Sequence, residues 1–190
     1  MKYYFDIEVG YDDESRVYRM LSPEYYKIIT IQYQPLDEGG CPLSDLRILK
    51  EWESSEEEIV GKFAKVISPK KTWSFVPVGY NVIFDLGFFR ARAKKYGMEY
   101  DEWLIYHRLP LIDLKHICIG MNGFRFADSG LDRFCGKPMD GSMVPEWYLN
   151  REYEKILEYI SRESEAFISF YRRLRDTLPK FRAKNGFYGY

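Results

Sequence analysis

The sequence has no apolar run of about 18 residues, so nothing in it reads as a membrane span. It has only 3 Cys and 2 His. Cys41, Cys118 and Cys135 are far apart and form no CxxC pair, which excludes a zinc ribbon and fits a reduced, cytoplasmic setting. His107 and His116 are too few for a histidine-rich metal site. The phosphate loop GxxxxGK[ST], the dinucleotide loop GxGxxG and the hydrolase elbow GxSxG are all missing. There is no excess of one charge. The 28 Lys+Arg against 29 Asp+Glu give a net charge of −1, which excludes a polybasic, histone-like binder. The opening stretch, MKYYFDIEVGYDDE, carries acids among its apolar residues and lacks a signal-peptide h-region.

What remains is a chain of 190 residues with 46% hydrophobic and 18% aromatic residues, enough for one domain with its own core. Lys2 to Val9 alternates as a strand, with Tyr4, Asp6 and Glu8 on one face and Phe5, Ile7 and Val9 on the other. Lys27 to Gln34 is a second strand, which Pro35 should end. Leu46 to Trp52 is a third, joined to the second by a loose hairpin through Gly39, Gly40 and Pro42. The period then changes. Ser55 and Glu58 form a capping box ahead of Ile59, Phe63, Val66 and Ile67, and Pro69 stops that helix. Thr72 to Val78 returns to strand. A second helix, Val82 to Tyr96, follows the turn Gly79-Tyr80-Asn81 and closes on Gly97. Leu109 to Leu114 reads as a fifth strand. Gly120 to Gly141 reads as Gly-rich loop with a helical patch at Leu131 to Cys135. The last helix runs from about Arg151 to Thr177, and Pro179 ends it. This order predicts an α/β fold with an antiparallel start, one domain over 1–178 and a basic, aromatic tail over 179–190.

Three sets of residues can carry chemistry. Asp6 and Glu8, two apart on a strand, put two carboxylates on one face. Their repulsion is relieved by a hard cation with a taste for oxygen, though a solvated acidic face has the same pattern. Asp85 lies one turn into the helix that follows the fourth strand, with Asn81 as its natural N-cap. That is the strand end where open α/β sheets bind ligands, but an acid there also complements the helix dipole. Tyr159 and Glu163 are i and i+4 on the apolar face of the last helix. A carboxylate on that face is costly unless paired or metal-bound, or else it sits at the rim of the stripe.

Taken together these segments resemble the DEDD 3′–5′ exonucleases, and most closely the proofreading exonuclease domain of family-B DNA polymerases. Phe5-Asp6-Ile7-Glu8 looks like the first exonuclease motif of that family. Gly79-Tyr80-Asn81-Val82-Ile83-Phe84-Asp85-Leu86 is similar to the second, and Tyr159-Ile160-Ser161-Arg162-Glu163 stands where the third, Tyr-x-x-x-Asp, belongs. Ile112-Asp113-Leu114, Ser129-Gly130-Leu131-Asp132 and Gly136-Lys137 resemble connecting segments. Tyr159 puts the chain with the tyrosine branch. Glu163 departs from the pattern by one methylene.

The resemblance implies a ribonuclease H-like mixed sheet with helices on both faces. It also implies a two-metal hydrolysis releasing nucleoside 5′-monophosphates from the 3′ end of single-stranded nucleic acid, DNA before RNA. Asp6, Glu8 and Glu163 would hold one Mg²⁺ or Mn²⁺, and Asp6 with Asp85 the other. Tyr159 would position the attacking water, while Asn81, Tyr80 and Phe84, with Phe124, would meet the substrate. The basic tail could track a backbone. Two alternatives stand beside this: an exonuclease fold that binds nucleic acid with weak or no catalysis, and a subunit that works with a replication or repair protein.

Overall fold

The computed structural model describes residues 1–12, 20–67, 73–98, 109–136 and 141–178. The expected stop at Pro69, Thr72, Lys137, Pro179 and the tail 179–190 lie outside the described residues.

Among the described residues, five strands form one mixed sheet in the order β3-β2-β1-β4-β5. They are β1 (Lys2–Tyr11), β2 (Tyr26–Leu36), β3 (Arg47–Lys50), β4 (Val76–Gly79) and β5 (Ile112–Asp113). β1, β2 and β3 pair antiparallel, whereas β4 and β5 run parallel to β1. The α/β pattern with an antiparallel start is therefore the observed architecture.

The register explains why β1 can be apolar on one face and acidic on the other. Phe5, Ile7 and Val9 pack with Ile28, Ile31 and Tyr33 under α1 (Glu56–Ile67) and α2 (Val82–Lys95). Aromatic rings dominate this layer. Phe63 stacks on Phe5 at 5.0 Å between centroids and meets Phe89 edge-on at 5.2 Å. The opposite face is covered by α3 (Leu114–Met121), α4 (Leu131–Cys135), α5 (Val144–Leu149) and α6 (Tyr153–Thr177). A β-bulge between Glu8 and Val9, opposite Ile29, keeps both faces in phase.

The Ser55 cap of α1 and the glycine stop of α2 are present. Glu58 N–H donates to Ser55 Oγ at 3.1 Å. Gly97 takes φ +63° after α2, with Met98 N–H bonded to Ala93 O, as a glycine helix stop requires.

Several boundaries differ from the expectation. Pro35 does not end β2, which continues to Leu36. Its carbonyl accepts from Leu43 N–H, so its missing N–H faces the hairpin return beyond the end of β3 and not the ladder with β1. β3 is shorter than Leu46 to Trp52. Glu51 to Glu53 forms a 3₁₀ turn instead, where Glu51 pairs with Lys27 at 2.8 Å and Trp52 stacks on Tyr153. The fifth strand shrinks to two residues because Asp113 caps a helix that the sequence pattern did not reveal, α3. α5 falls on residues to which the sequence pattern assigns no element, while α4 stands at Leu131 to Cys135 as expected.

Candidate active site

Three of the four motif carboxylates meet. Ligand oxygens of Asp6, Glu8 and Glu163 all lie within 4.8 Å of one another. Period-2 geometry puts Asp6 and Glu8 side by side, and α6 crosses that face of β1 with Tyr159 and Glu163 pointing down onto it. Glu163 is 8% exposed, so it stands on the core side of its helix and not at the rim.

Asp85 joins them from α2. It is 4% exposed, and its Oδ2 has no hydrogen-bond partner among the described residues. Burial pushes its carboxyl well above the usual range, and the charges of Asp6, Asp113 and Glu163 push it further. A buried acid with an orphaned oxygen, facing a cluster of acids, is a donor set suited to hard divalent cations.

Tyr159 is 3% exposed. Burial raises its hydroxyl far above the ordinary phenol range, as do the neighbouring charges of Glu8 and Glu163. It therefore keeps its proton and acts as a donor. Tyr4 is held protonated for the same reason, burial first and the charge of Asp6 next.

These groups line a cleft of about 420 Å³. One wall is acidic. The other is an apolar lip of Tyr11, Leu21, Tyr26, Phe84 and Pro145. Tyr11 and Tyr26 stand as a ring pair at 5.0 Å. Gly141 and Ser142 also line it. None of the lip except Phe84 was legible as a site residue; Tyr11 and Tyr26 are brought together only by the pairing of β1 with β2.

Of the other substrate-side candidates, Tyr80 packs in the cluster of Val78, Leu114 and Cys118. It is not part of the cleft lining. Asn81 occupies the N-cap position of α2 but makes no side-chain cap, which corrects the expectation. Its φ of +66° turns its backbone N–H to Asp113 Oδ1 at 2.8 Å, and its side-chain Oδ1 accepts from Lys115 Nζ at 3.2 Å. Phe124 is 81% exposed on the loop after α3.

Sequence reasoning also missed the floor of the site. Gln32 lies opposite Asp6 in the register, and its Nε2 donates to Asp6 Oδ2 at 3.2 Å. Tyr4 Oη donates to the same oxygen at 3.4 Å. The alternation of Thr30, Gln32 and Gln34 with Ile31 and Tyr33 was the available signal.

No family model matches the chain, and no curated protein matches it. Among solved structures it is similar to exonuclease I in complex with the inhibitor BCBP, at 10% identity and a TM-score of 0.59. That superposition covers 93% of this chain and 41% of the other. An apo exonuclease I is matched at 11% identity and a TM-score of 0.49, over 67% of this chain and 32% of that one. The chain thus spans less than half the length of the structures it matches. The shared feature is the fold, a ribonuclease H-like α/β sheet. No helix among the described residues is long and apolar enough to cross a membrane.

Proposed function

We propose that the protein is a metal-dependent 3′–5′ exonuclease acting on single-stranded nucleic acid, DNA in preference to RNA. The observation that carries this reading is the meeting of Asp6, Glu8 and Glu163 within 4.8 Å, with buried Asp85 beside them, on the floor of a cleft with an apolar lip. The likeness in fold to exonuclease I supports it, as does the order of the motifs along the chain. Glu163 reaches the cluster despite its extra methylene, which favours turnover over a binding module without catalysis.

Asp6, Glu8 and Glu163 would hold one Mg²⁺ or Mn²⁺, and Asp6 with Asp85 a second. When bound, such ions supply a hydroxide nucleophile at neutral pH and offset charge on the phosphodiester oxygens. The protein supplies the rest. Tyr159, kept neutral by burial and by the acids around it, donates a hydrogen bond that orients the attacking water. Phe84, Tyr11 and Tyr26 offer faces on which a terminal base can stack, worth about 1–3 kcal/mol per base. The acidic wall repels phosphate until cations fill it, so binding and chemistry share one requirement.

The test is a 5′-labelled single-stranded oligonucleotide incubated in Mg²⁺, in Mn²⁺ and in EDTA, beside Asp6→Ala. A ladder shortening from the 3′ end that needs metal and vanishes in the variant is the expected result. Shortening that persists in EDTA or in Asp6→Ala would refute the assignment. Parallel DNA and RNA lanes name the substrate, and co-purification from an extract tests for a replication or repair partner.

A further inference from the structure

We infer that Gln32, backed by Thr30, is a positioning residue for the acidic cluster: it fixes the Asp6 carboxylate for cation binding. The inference rests on the reading of the cleft as a metal site.

β2 is an interior strand, paired with β1 on one side and β3 on the other. Thr30 and Gln32 are both 0% exposed. A fully buried glutamine costs desolvation and rotamer entropy, and an aliphatic side chain of similar volume would pack there at no such cost. Both ends of its amide are used. Thr30 Oγ1 donates to Gln32 Oε1 at 3.0 Å, and Gln32 Nε2 donates to Asp6 Oδ2 at 3.2 Å. An amide oxygen only accepts, so the Thr30 hydroxyl sets which way the amide faces. The NH₂ group is then turned to Asp6.

Asp6 Oδ2 accepts a second hydrogen bond, from Tyr4. Two donors on one oxygen restrict rotation about the Asp6 Cβ–Cγ bond. Gln34, next on the same face, offers a contrast. Its Nε2 donates to Ser44 O at 2.7 Å and serves the hairpin alone. The Thr30–Gln32–Asp6 chain therefore ends on the carboxylate that belongs to both proposed cation positions. Partners of metal ligands typically matter by about 10- to 100-fold in metal affinity.

The experiment titrates Mn²⁺ alone into metal-stripped protein, reading bound ion by electron paramagnetic resonance, with melting in EDTA measured alongside. Gln32→Met should weaken Mn²⁺ binding about 10- to 100-fold while its far-UV circular dichroism in EDTA stays that of the unaltered protein. Thr30→Val should weaken it in the same direction by less, and Thr30→Ser, which keeps the hydroxyl, should restore it. Wild-type affinity in a folded Gln32→Met overturns the inference and leaves the exonuclease reading intact. If Gln32→Met fails to fold, the Thr30 pair decides: equal affinity in Thr30→Val and Thr30→Ser overturns it. Absence of Mn²⁺ binding in the unaltered protein, matching Asp6→Asn, would remove the metal-site reading itself and this inference with it.

Discussion

The backbone N–H of Asn81 donates to Asp113 Oδ1 at 2.8 Å, and the same oxygen accepts from Lys115 N–H at 3.0 Å. One buried carboxylate thus caps α3 and holds the left-handed turn that starts α2, three residues before Asp85 comes Val82 and the first helical turn. Asp113→Ala should lower stability by about 2 kcal/mol, combining a lost cap with an unsatisfied N–H. Asp113→Asn should cost less, because its oxygen can still accept. A urea midpoint for Asp113→Ala equal to that of the unaltered protein would contradict this.

Gly79, at the end of β4, lies against the backbone of β1. A Cβ there would lie 2.5 Å from Phe5 O, a backbone atom that can move only if the strands part. Gly79→Ala should therefore cost about 1–3 kcal/mol. It should also weaken Mn²⁺ binding, since Phe5 precedes Asp6. Thermal melting and metal titration check both effects.

Arg92 is 1% exposed and its guanidinium grips Glu56, with Nε 2.7 Å from Glu56 Oε1. Glu56 in turn accepts from Ile28 N–H at 2.7 Å and from Tyr96 Oη at 2.6 Å. Arg92→Met alone leaves a buried carboxylate without its cation and should cost about 3–5 kcal/mol. The double variant Glu56→Leu/Arg92→Met should be less destabilised than the sum of the two single changes. Denaturant unfolding of the four proteins gives the coupling directly, and strict additivity would show that the pair does not act as a unit.

Asp12 extends this network toward solvent, accepting from Lys95 at 2.9 Å and Arg92 at 3.1 Å. Partial burial would raise its pKa, but the hydrogen bonds from Lys95 and Arg92 outweigh that and hold it below the ordinary value. A carboxyl depressed in the folded state stabilises above its unfolded pKa of about 3.9 and loses that contribution as pH falls through the folded value. Melting temperature should drop on acidification below about pH 4. Asp12→Asn should melt lower at neutral pH and show a shallower acid limb.

Asp85→Asn keeps the shape of the side chain and removes a buried carboxyl whose ionisation burial and the neighbouring acids oppose. In EDTA it should melt higher than the unaltered protein, by the equivalent of about 1 kcal/mol. Added Mg²⁺ or Mn²⁺ should raise the melting point of the unaltered protein by mass action and that of the variant much less. A variant that melts lower in EDTA would show that the acids do not store repulsion.

The sequence by itself determined what depends on local periodicity and on chemistry carried by single residues. The alternation of β1, the Ser55 cap of α1, the glycine stop of α2 and the apolar stripe of α6 are short-range signals, and each stands where it was read. The acids were legible for separate local reasons: Asp6 and Glu8 stand two apart on one strand face, Asp85 lies one turn into the helix after a strand, and Glu163 sits on the apolar face of α6, where a carboxylate is costly. Asp113 capping α3, Gln32 beneath Asp6, and the lip of Tyr11, Leu21 and Tyr26 were not legible. Gln32 beneath Asp6, Tyr26 beside Tyr11 and the hold of Asp113 on Asn81 depend on register between strands distant in sequence, Asp6 opposite Gln32, Tyr11 opposite Tyr26 and Gly79 opposite Asp113. The same holds for Asn81, whose amide is a cap by type but is claimed by Lys115 once α3 is in place. Residue type sets what a group can bond, whereas only the assembled sheet decides which partner reaches it first.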